Sequence, residues 1–155
     1  MYDIIIVGAG PAGLSAAVYG LRAGKSVLLL EKESYGGQII NTPEIENYPG
    51  IKKISGYEFA ENLYQQAVDL GAEIVFEAVT AIETEEDIKK VFTAQNEYLC
   101  KTVILATGAT HRKLGIEREE ELAGKGVSYC ATCDGMFFKG KDVAVAGGGN
   151  TALQD

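Results

Sequence analysis

Short runs of apolar residues separated by glycine-rich turns dominate the hydrophobic pattern of this chain. In the predicted strand 3–7, residues 4–7 are continuously apolar, as are residues 27–30, which is typical of strands buried on both faces of a parallel sheet. Between them, an alanine-rich stretch over residues 12–23 predicts a helix. Strand, helix and strand in this order indicate a βαβ unit with a right-handed crossover.

The same alternation continues along the chain. Apolar residues at helical spacing over 56–70, closed by Gly71, predict an amphipathic second helix. Two further strands, 73–82 and 88–95, are expected to form a hairpin or meander. Residues 102–106 predict another buried strand, which joins the parallel sheet.

This pattern divides the chain into three regions. Residues 1–110 are expected to form an α/β domain with three layers, built on a parallel sheet with a β-meander. The charged, glycine-rich stretch 111–127 is interpreted as a linker. Residues 128–155 are interpreted as the incomplete start of a second domain, with a last strand at 142–146.

Composition and charge restrict the partners. Of the 155 residues, 46% are hydrophobic and 23% are charged, which is a globular composition. With 14 basic and 22 acidic residues, the net charge is −8, which disfavours nucleic acids and anionic membrane surfaces. No apolar run reaches the roughly 20 residues that span a bilayer, and no basic segment precedes the first one as in a secretory signal. We therefore expect a cytoplasmic protein.

The turn between the first strand and the first helix has the pattern G-x-G-x-x-G. Gly8 permits a tight turn, Gly10 lets a pyrophosphate approach the backbone, and Gly13 allows the helix to pack close to the strand. The helix N-terminus offers amide groups to the phosphates. Glu31, at the end of the second strand, can accept hydrogen bonds from ribose hydroxyls and would repel a 2′-phosphate. The turn therefore suits FAD or NAD rather than NADP.

Two cysteines, Cys130 and Cys133, are separated by two residues. This spacing favours a labile, exchangeable disulfide. Zinc is the alternative, but a structural zinc site needs about four ligands, and only Cys100 and His111 remain as candidates, so no metal is expected. From the residues alone, Asp134 is most simply a solvated carboxylate in an Asp-Gly turn, although a raised pKa would let it move a proton.

Two other features are given structural interpretations. Cys100 is expected to be a small buried apolar side chain. The acidic run over residues 117–121 is interpreted as a solvated face.

The end of the chain repeats its beginning. An apolar run at 143–146 leads into Gly147-Gly148-Gly149, and two copies of one strand-and-turn unit indicate two nucleotide-binding folds. A complete βαβ unit needs about 30 residues. Since the sequence ends at Asp155, this second site is expected to be incomplete. The strand 142–146 then lacks its sheet neighbours and is expected to be frayed, completed by another molecule or packed non-natively.

The order of these motifs resembles that of the low-molecular-weight bacterial thioredoxin reductases. The stretches that carry the resemblance are Gly8–Gly13, Gly36–Gln38, Glu46–Gly50, Ala106–Ala109, Cys130–Gly135 and Gly147–Ala152. The resemblance implies an FAD-binding, Rossmann-like domain over residues 1–110, then an NADPH domain that carries the cysteine pair. In that family NADPH reduces FAD, FAD reduces the disulfide, and the dithiol reduces thioredoxin.

The resemblance also assigns roles to single residues. Asn47 is expected near the flavin and Val79 against the adenine, through its backbone. The complete set of expected FAD-binding residues is Gly8, Gly10, Pro11, Ala12, Glu31, Lys32, Gly36, Gly37, Gln38, Asn47, Val79, Ala106, Thr107 and Gly108. The expected catalytic residues are Cys130, Cys133 and, as acid/base, Asp134. The expected start of the NADPH site is Gly147, Gly148, Gly149, Asn150 and Thr151.

The function that this resemblance implies is that of a thioredoxin-disulfide reductase. Thioredoxin is the expected protein substrate, and the full-length protein is expected to be a homodimer. The chain is expected to be an N-terminal fragment that does not sustain NADPH-driven turnover alone. Three alternatives stay open: a related flavoprotein disulfide reductase with another donor or acceptor, such as ferredoxin; an NAD-dependent oxidoreductase without flavin; and a non-catalytic nucleotide-binding redox module.

Overall fold

The computed structural model describes residues 1–131, 135–149 and 152–153. The chain forms two compact units, Met1–Gly108 and Ala109–Asp155. In the second unit, the stretch predicted as a linker carries a short helix, α3 (Glu119–Leu122).

The first unit contains one six-stranded sheet and two helices. In chain order the elements are β1 (Tyr2–Val7), α1 (Pro11–Arg22), β2 (Val27–Leu30), α2 (Gly56–Asp69), β3 (Glu73–Val75), β4 (Val79–Glu85), β5 (Ile88–Thr93) and β6 (Glu97–Leu105), with a 3₁₀ turn over Gly37–Asn41 before α2. The strand order is β3-β2-β1-β6-β5-β4. The neighbouring strands β3, β2, β1 and β6 are parallel to one another, whereas β5 runs antiparallel to β4 and β6. The predicted α/β class, a mostly parallel sheet with a meander, is confirmed.

Both long helices begin at residues suited to that position, and α2 also ends at one. Pro11 opens α1, where its fixed φ and missing N–H cost nothing. The Ser55 side chain caps α2 by accepting a hydrogen bond of 3.1 Å from the Glu58 amide. Gly71, with φ +94°, follows the last turn of α2, as the sequence predicts.

The core lies on both faces of the parallel strands. Successive side chains of a strand point to opposite faces, so Ile6 and Leu29 pack with Leu14 of α1, whereas Ile5 and Leu28 pack on the other side. That second face is covered by side chains of the meander, namely Val79, Val91, Tyr98 and Cys100. Helices, parallel sheet and meander therefore form three layers, and Cys100 is fully buried as expected.

The prediction of one strand over residues 73–82 is wrong. The segment contains two strands, β3 and β4, which lie at opposite edges of the sheet. β3 pairs in parallel with β2, whereas β4 pairs antiparallel with β5. A continuous strand cannot pair at both edges, and the strand pairing is interrupted at residues 76–78.

The predicted strand at 142–146 is not formed. Residues 142–148 have no regular secondary structure, and Val143 and Val145 are 69% and 67% exposed. A strand needs a neighbour for its N–H and C=O groups, and the described residues of the second unit provide none for this segment.

As for membrane spans, none of the helices in the described ranges has the length and hydropathy that crossing a bilayer requires.

Candidate functional site

The first glycine of the turn joins the ends of three strands. Gly8 has φ +105°, and a Cβ there would overlap the carbonyl oxygen of Ala106. Its amide donates to the Leu30 carbonyl at 2.8 Å, and the Ala106 amide donates to the Val7 carbonyl at 2.8 Å. The turn therefore lies at the carboxyl ends of β1, β2 and β6. Because the order of strands reverses between β1 and β6, this is the position where open α/β sheets bind ligands.

The other two glycines of the turn have different surroundings. A Cβ on Gly13 would overlap the carbonyl oxygen of Gly8, so α1 packs directly on the turn. A Cβ on Gly10 would have only the Gly36 carbonyl oxygen nearby, at 4.0 Å. Gly10 caps α1, whose first amides have no intrahelical acceptor. The turn is thus closed at Gly8 and Gly13 and open at Gly10, which is where a phosphate would approach.

Glu31 is tied to the glycine turn. Its Oε2 accepts a hydrogen bond of 2.8 Å from the Ala9 amide, and its Oε1 accepts one of 3.0 Å from the Glu33 amide. Each carboxylate oxygen can accept more than one hydrogen bond, so capacity for a hydroxyl ligand remains. The carboxylate also fixes the turn against the end of β2, a role that the sequence does not indicate.

A second glycine pair meets the turn from the loop after β2. Gly36 and Gly37 have φ +96° and +60°. The Gly36 amide donates to the Ala9 carbonyl at 2.8 Å, and a Cβ on Gly37 would lie 3.5 Å from the Cα of Gly10. The two glycine segments, separated in sequence, therefore form one continuous backbone surface.

Three other expected FAD-binding residues, Lys32, Asn47 and Val79, lie outside the glycine turn. Lys32 is exposed and forms an ion pair of 3.1 Å with Glu33. Asn47 is exposed in the loop before α2, and Val79 is half-buried at the start of β4. In the hydrogen bonds of residues 1–131, neither Asn47 nor Val79 is joined to the turn. Their roles stay predictions, as do those of Pro11, Ala12, Gln38, Thr107 and Gly108.

The described part of the cysteine motif is Cys130 with the residues before it. Cys130 takes part in a disulfide. Its amide donates to Ser128 Oγ, and that hydroxyl donates to the Cys130 carbonyl, both at 3.1 Å. Residues Cys133, Asp134, Asn150 and Thr151 lie outside the described residues. In the ranges that are described, no group of three or more His, Cys, Asp or Glu could hold a metal ion.

The described glycines of the second motif are exposed. Gly147 has φ +126°, and among the described residues no atom lies within 4 Å of a Cβ placed on Gly148 or Gly149. Their assignment to a second nucleotide site stays a prediction.

Of residues 117–121, interpreted as a solvated face, four are exposed as expected, and Glu119 is not. It is only 5% exposed, and its carboxylate accepts hydrogen bonds of 2.7 Å from the amides of Leu114 and Gly115. The hydroxyl of Tyr129 also donates to it. These bonds, that of Tyr129 foremost, hold the pKa of Glu119 below its usual value. No pattern in the sequence separates Glu119 from the neighbouring acids, because its burial depends on the path of the loop.

Similarity to known proteins extends over nearly the whole chain. The family model described as pyridine nucleotide-disulphide oxidoreductase matches residues 2–154. The thioredoxin reductase of Treponema pallidum (strain Nichols) is 52% identical over 155 residues, covering 99% of this chain and 50% of that protein. The chain thus spans about half the length of the curated relatives it matches.

Solved structures give the same result. The thioredoxin reductase from Streptococcus pyogenes MGAS5005 is 47% identical with a TM-score of 0.82, covering 99% of this chain and 50% of that one. A ferredoxin-flavin thioredoxin reductase from Clostridium acetobutylicum is 37% identical with a TM-score of 0.67, covering 90% of this chain and 48% of that one. Since the family model covers nearly all of the sequence, the chain belongs to the pyridine nucleotide-disulphide oxidoreductase family.

Proposed function

We propose that this chain is the FAD-binding part of a thioredoxin-disulfide reductase, which passes electrons from NADPH through FAD to the Cys130–Cys133 disulfide and then to thioredoxin. The observation that carries the proposal is the turn at Gly8–Gly13, closed on Ala106 and open at Gly10. The relatives named thioredoxin reductase supply the reaction and the protein substrate.

The residues present fit a dinucleotide such as FAD. The missing Cβ of Gly10 leaves room for a pyrophosphate, and the first amides of α1 point toward that space. We assign to the oxygens of Glu31 the role of accepting hydrogen bonds from ribose hydroxyls. The loop at Gly36–Gly37 brings a second stretch of backbone beside Gly10. Lys32, Gln38, Asn47, Val79, Thr107 and Gly108 are assigned to the same site. When bound, FAD supplies the hydride and electron chemistry that no side chain can perform.

The cysteine pair is proposed as the electron acceptor within the chain. Reducing a disulfide takes two electrons and two protons, breaks the S–S bond and leaves two thiols. A nearby acid that protonates the leaving thiolate makes this step easier, and we assign that role to Asp134. Cys130 takes part in a disulfide, which is the bond that this step would reduce.

The proposal also covers the NADPH site, the oligomeric state, the partners and the location of the protein. NADPH is assigned to the site that begins at Gly147–Gly149 with Asn150 and Thr151, and the full-length protein is proposed to be a homodimer. A net charge of −8 does not favour nucleic acids or anionic membranes as partners. We propose the cytoplasm as its location.

Identification of the bound cofactor tests the proposal. The chain is purified and its visible absorbance recorded; it is then denatured, and the released compound is identified by chromatography. We expect FAD at about one equivalent per chain, either as purified or after incubation with FAD. Release of NAD instead, or failure to bind added FAD, would overturn the assignment.

A glycine variant localises the site. In Gly10→Ala the new methyl group has no neighbour closer than 4.0 Å among the described residues, so the chain should fold, yet the methyl group occupies the space of the pyrophosphate. FAD binding should therefore be lost. Gly126→Ala makes the same chemical change where only Leu122 lies within 4 Å, and it should bind FAD like the parent chain. Equal binding by both variants would place the cofactor elsewhere.

Ferredoxin is a second candidate for the electron donor. The likeness to a ferredoxin-flavin thioredoxin reductase supports ferredoxin as this second candidate, because that protein shares this part of the fold. The FAD-loaded full-length protein is mixed anaerobically with NADPH or with reduced ferredoxin, and bleaching of the flavin absorbance is followed. Fast bleaching by NADPH alone supports the first proposal, and fast bleaching by ferredoxin alone supports the second.

A further inference from the structure

One aromatic residue anchors the glycine loop after β2 to a helix. Tyr35 precedes Gly36 directly, and its ring stacks on that of Tyr64 in α2, with centroids 4.0 Å apart and planes 21° from parallel. Its hydroxyl donates to Oε2 of Glu61, also in α2, at 2.5 Å. This bond is the main reason why the pKa of Tyr35 is raised to about 12.

On its other side, the same loop contacts the glycine turn. The Gly36 amide donates to the Ala9 carbonyl at 2.8 Å. Gly36 also lies close to α2, because a Cβ there would be 3.0 Å from the Cβ of Ala60. The loop is thus held between α2 and the turn, and Tyr35 makes the side-chain contacts on the α2 side.

An anchor beside two consecutive glycines with positive φ lowers the entropy cost of ordering them when a ligand binds. Glycine has more backbone freedom than any other residue, so ordering Gly36 and Gly37 on ligand binding would cost more entropy than ordering other residues. A loop that is already ordered in the free protein does not incur this cost on binding.

We propose that Tyr35 is a positioning residue of the dinucleotide site, which orders Gly36 and Gly37 beside Gly10 through its contacts with Tyr64 and Glu61. The proposal rests on the proposed function, because the ligand it serves is FAD. Tyr35 itself is not assigned any contact with the ligand. No motif in the sequence indicates this role.

Two substitutions of Tyr35 test the proposal. Tyr35→Leu removes both the stacking and the hydrogen bond, and Tyr35→Phe keeps the ring. Titration of the FAD-free chain, followed by flavin fluorescence, should show a dissociation constant raised about tenfold in Tyr35→Leu, the size expected for a lost preorganising contact. Tyr35→Phe should recover most of the affinity. Tyr19→Leu, a change at a tyrosine that is 76% exposed on α1, should bind FAD as the parent does.

Amide hydrogen exchange separates positioning from general destabilisation. In the FAD-free chain, the amides of Gly36 and Gly37 should exchange faster in Tyr35→Leu, while those of β1 and β2 keep the parent rates. FAD affinity and exchange rates unchanged in Tyr35→Leu would overturn the proposal, as would equal acceleration in every strand. If the parent chain binds no FAD, the proposed function fails, and the exchange at Gly36 and Gly37 still decides whether Tyr35 orders the loop.

Discussion

The backbone amide of Ala9 donates a hydrogen bond of 2.8 Å to Oε2 of Glu31. Ala9 is fully buried inside the glycine turn, and Glu31 directly follows β2. The bond therefore joins the turn to the neighbouring strand by a side chain, in addition to the strand pairing of β1 and β2. One carboxylate thus shapes the turn and also faces the place where a ribose is proposed to bind.

Removing this carboxylate should cost stability as well as affinity. In Glu31→Ala, the buried amide of Ala9 loses its acceptor, which is expected to lower the free energy of unfolding by roughly 1–3 kcal/mol. Urea denaturation of the FAD-free chain measures this. Glu33→Ala serves as the control, because Glu33 is exposed and its ion pair with Lys32 should contribute less than about 1 kcal/mol. Equal losses in the two variants would contradict the role given to Glu31.

Two glycines of α1 should respond very differently to alanine. A methyl group on Gly13 would overlap the backbone oxygen of Gly8, whereas one on Gly20 would meet side-chain methyl groups of Val27 and Ile4 at 3.0 and 3.2 Å. Side chains can shift, and alanine gains up to about 1 kcal/mol of helix propensity over glycine. Gly20→Ala should therefore stay within about 1 kcal/mol of the parent, while Gly13→Ala loses more than about 3 kcal/mol, since overpacking against a fixed backbone exceeds the usual cost.

Thermal and urea unfolding measure both glycine variants. Parent-like stability in Gly13→Ala would show that α1 can move away from the turn, contrary to the packing described above.

The stability of the chain should depend on Tyr2 at high pH. Its hydroxyl donates to Glu73 Oε2 at 2.6 Å, and burial together with this bond raises the pKa of Tyr2 from 10.0 to about 12. The folded chain therefore holds the phenolic proton more tightly than the unfolded chain. The resulting stabilisation is complete below pH 10 and is lost as the pH rises to about 12.

Unfolding curves between pH 9 and pH 12 test this dependence. The parent should lose stability more steeply than Tyr2→Phe over that range, and Glu73→Gln should also flatten the dependence because it removes the acceptor charge. Identical slopes in the parent and Tyr2→Phe would disprove the coupling.

Cys100 should be unreactive in the folded chain. Its thiol is free and fully buried, and burial raises its pKa, so both access and thiolate fraction are low. Iodoacetamide at neutral pH should leave Cys100 unmodified after reduction of the chain, while the half-buried Cys130 is alkylated. Mass spectrometry of the digested protein identifies each site. Modification of Cys100 at the same rate as in urea would show that β6 opens readily.

The local sequence pattern was sufficient to predict much of the first unit. The apolar runs of β1 and β2, the alanine-rich α1 and the amphipathic α2 were all predicted within one or two residues, because each element's periodicity lies in its own sequence. The glycine turn was found in the same way, since its spacing reflects the positive φ of Gly8 and the packing of Gly13 on the Gly8 carbonyl, which are local to the turn. The assignments of single residues to FAD stay predictions.

Contacts between segments that are distant in the sequence determined the features that the local pattern did not predict. The break between β3 and β4 follows from strands that pair at opposite edges of the sheet, and the segment 142–146 stays irregular because a strand exists only where a neighbour pairs with it. The burial of Glu119 and the stacking of Tyr35 on Tyr64 depend on where loops fold. The sequence by itself determined the strand–turn–helix unit and the family, whereas pairing partners and buried polar contacts required the tertiary structure, because hydrogen bonds between distant residues leave no periodic trace in either segment.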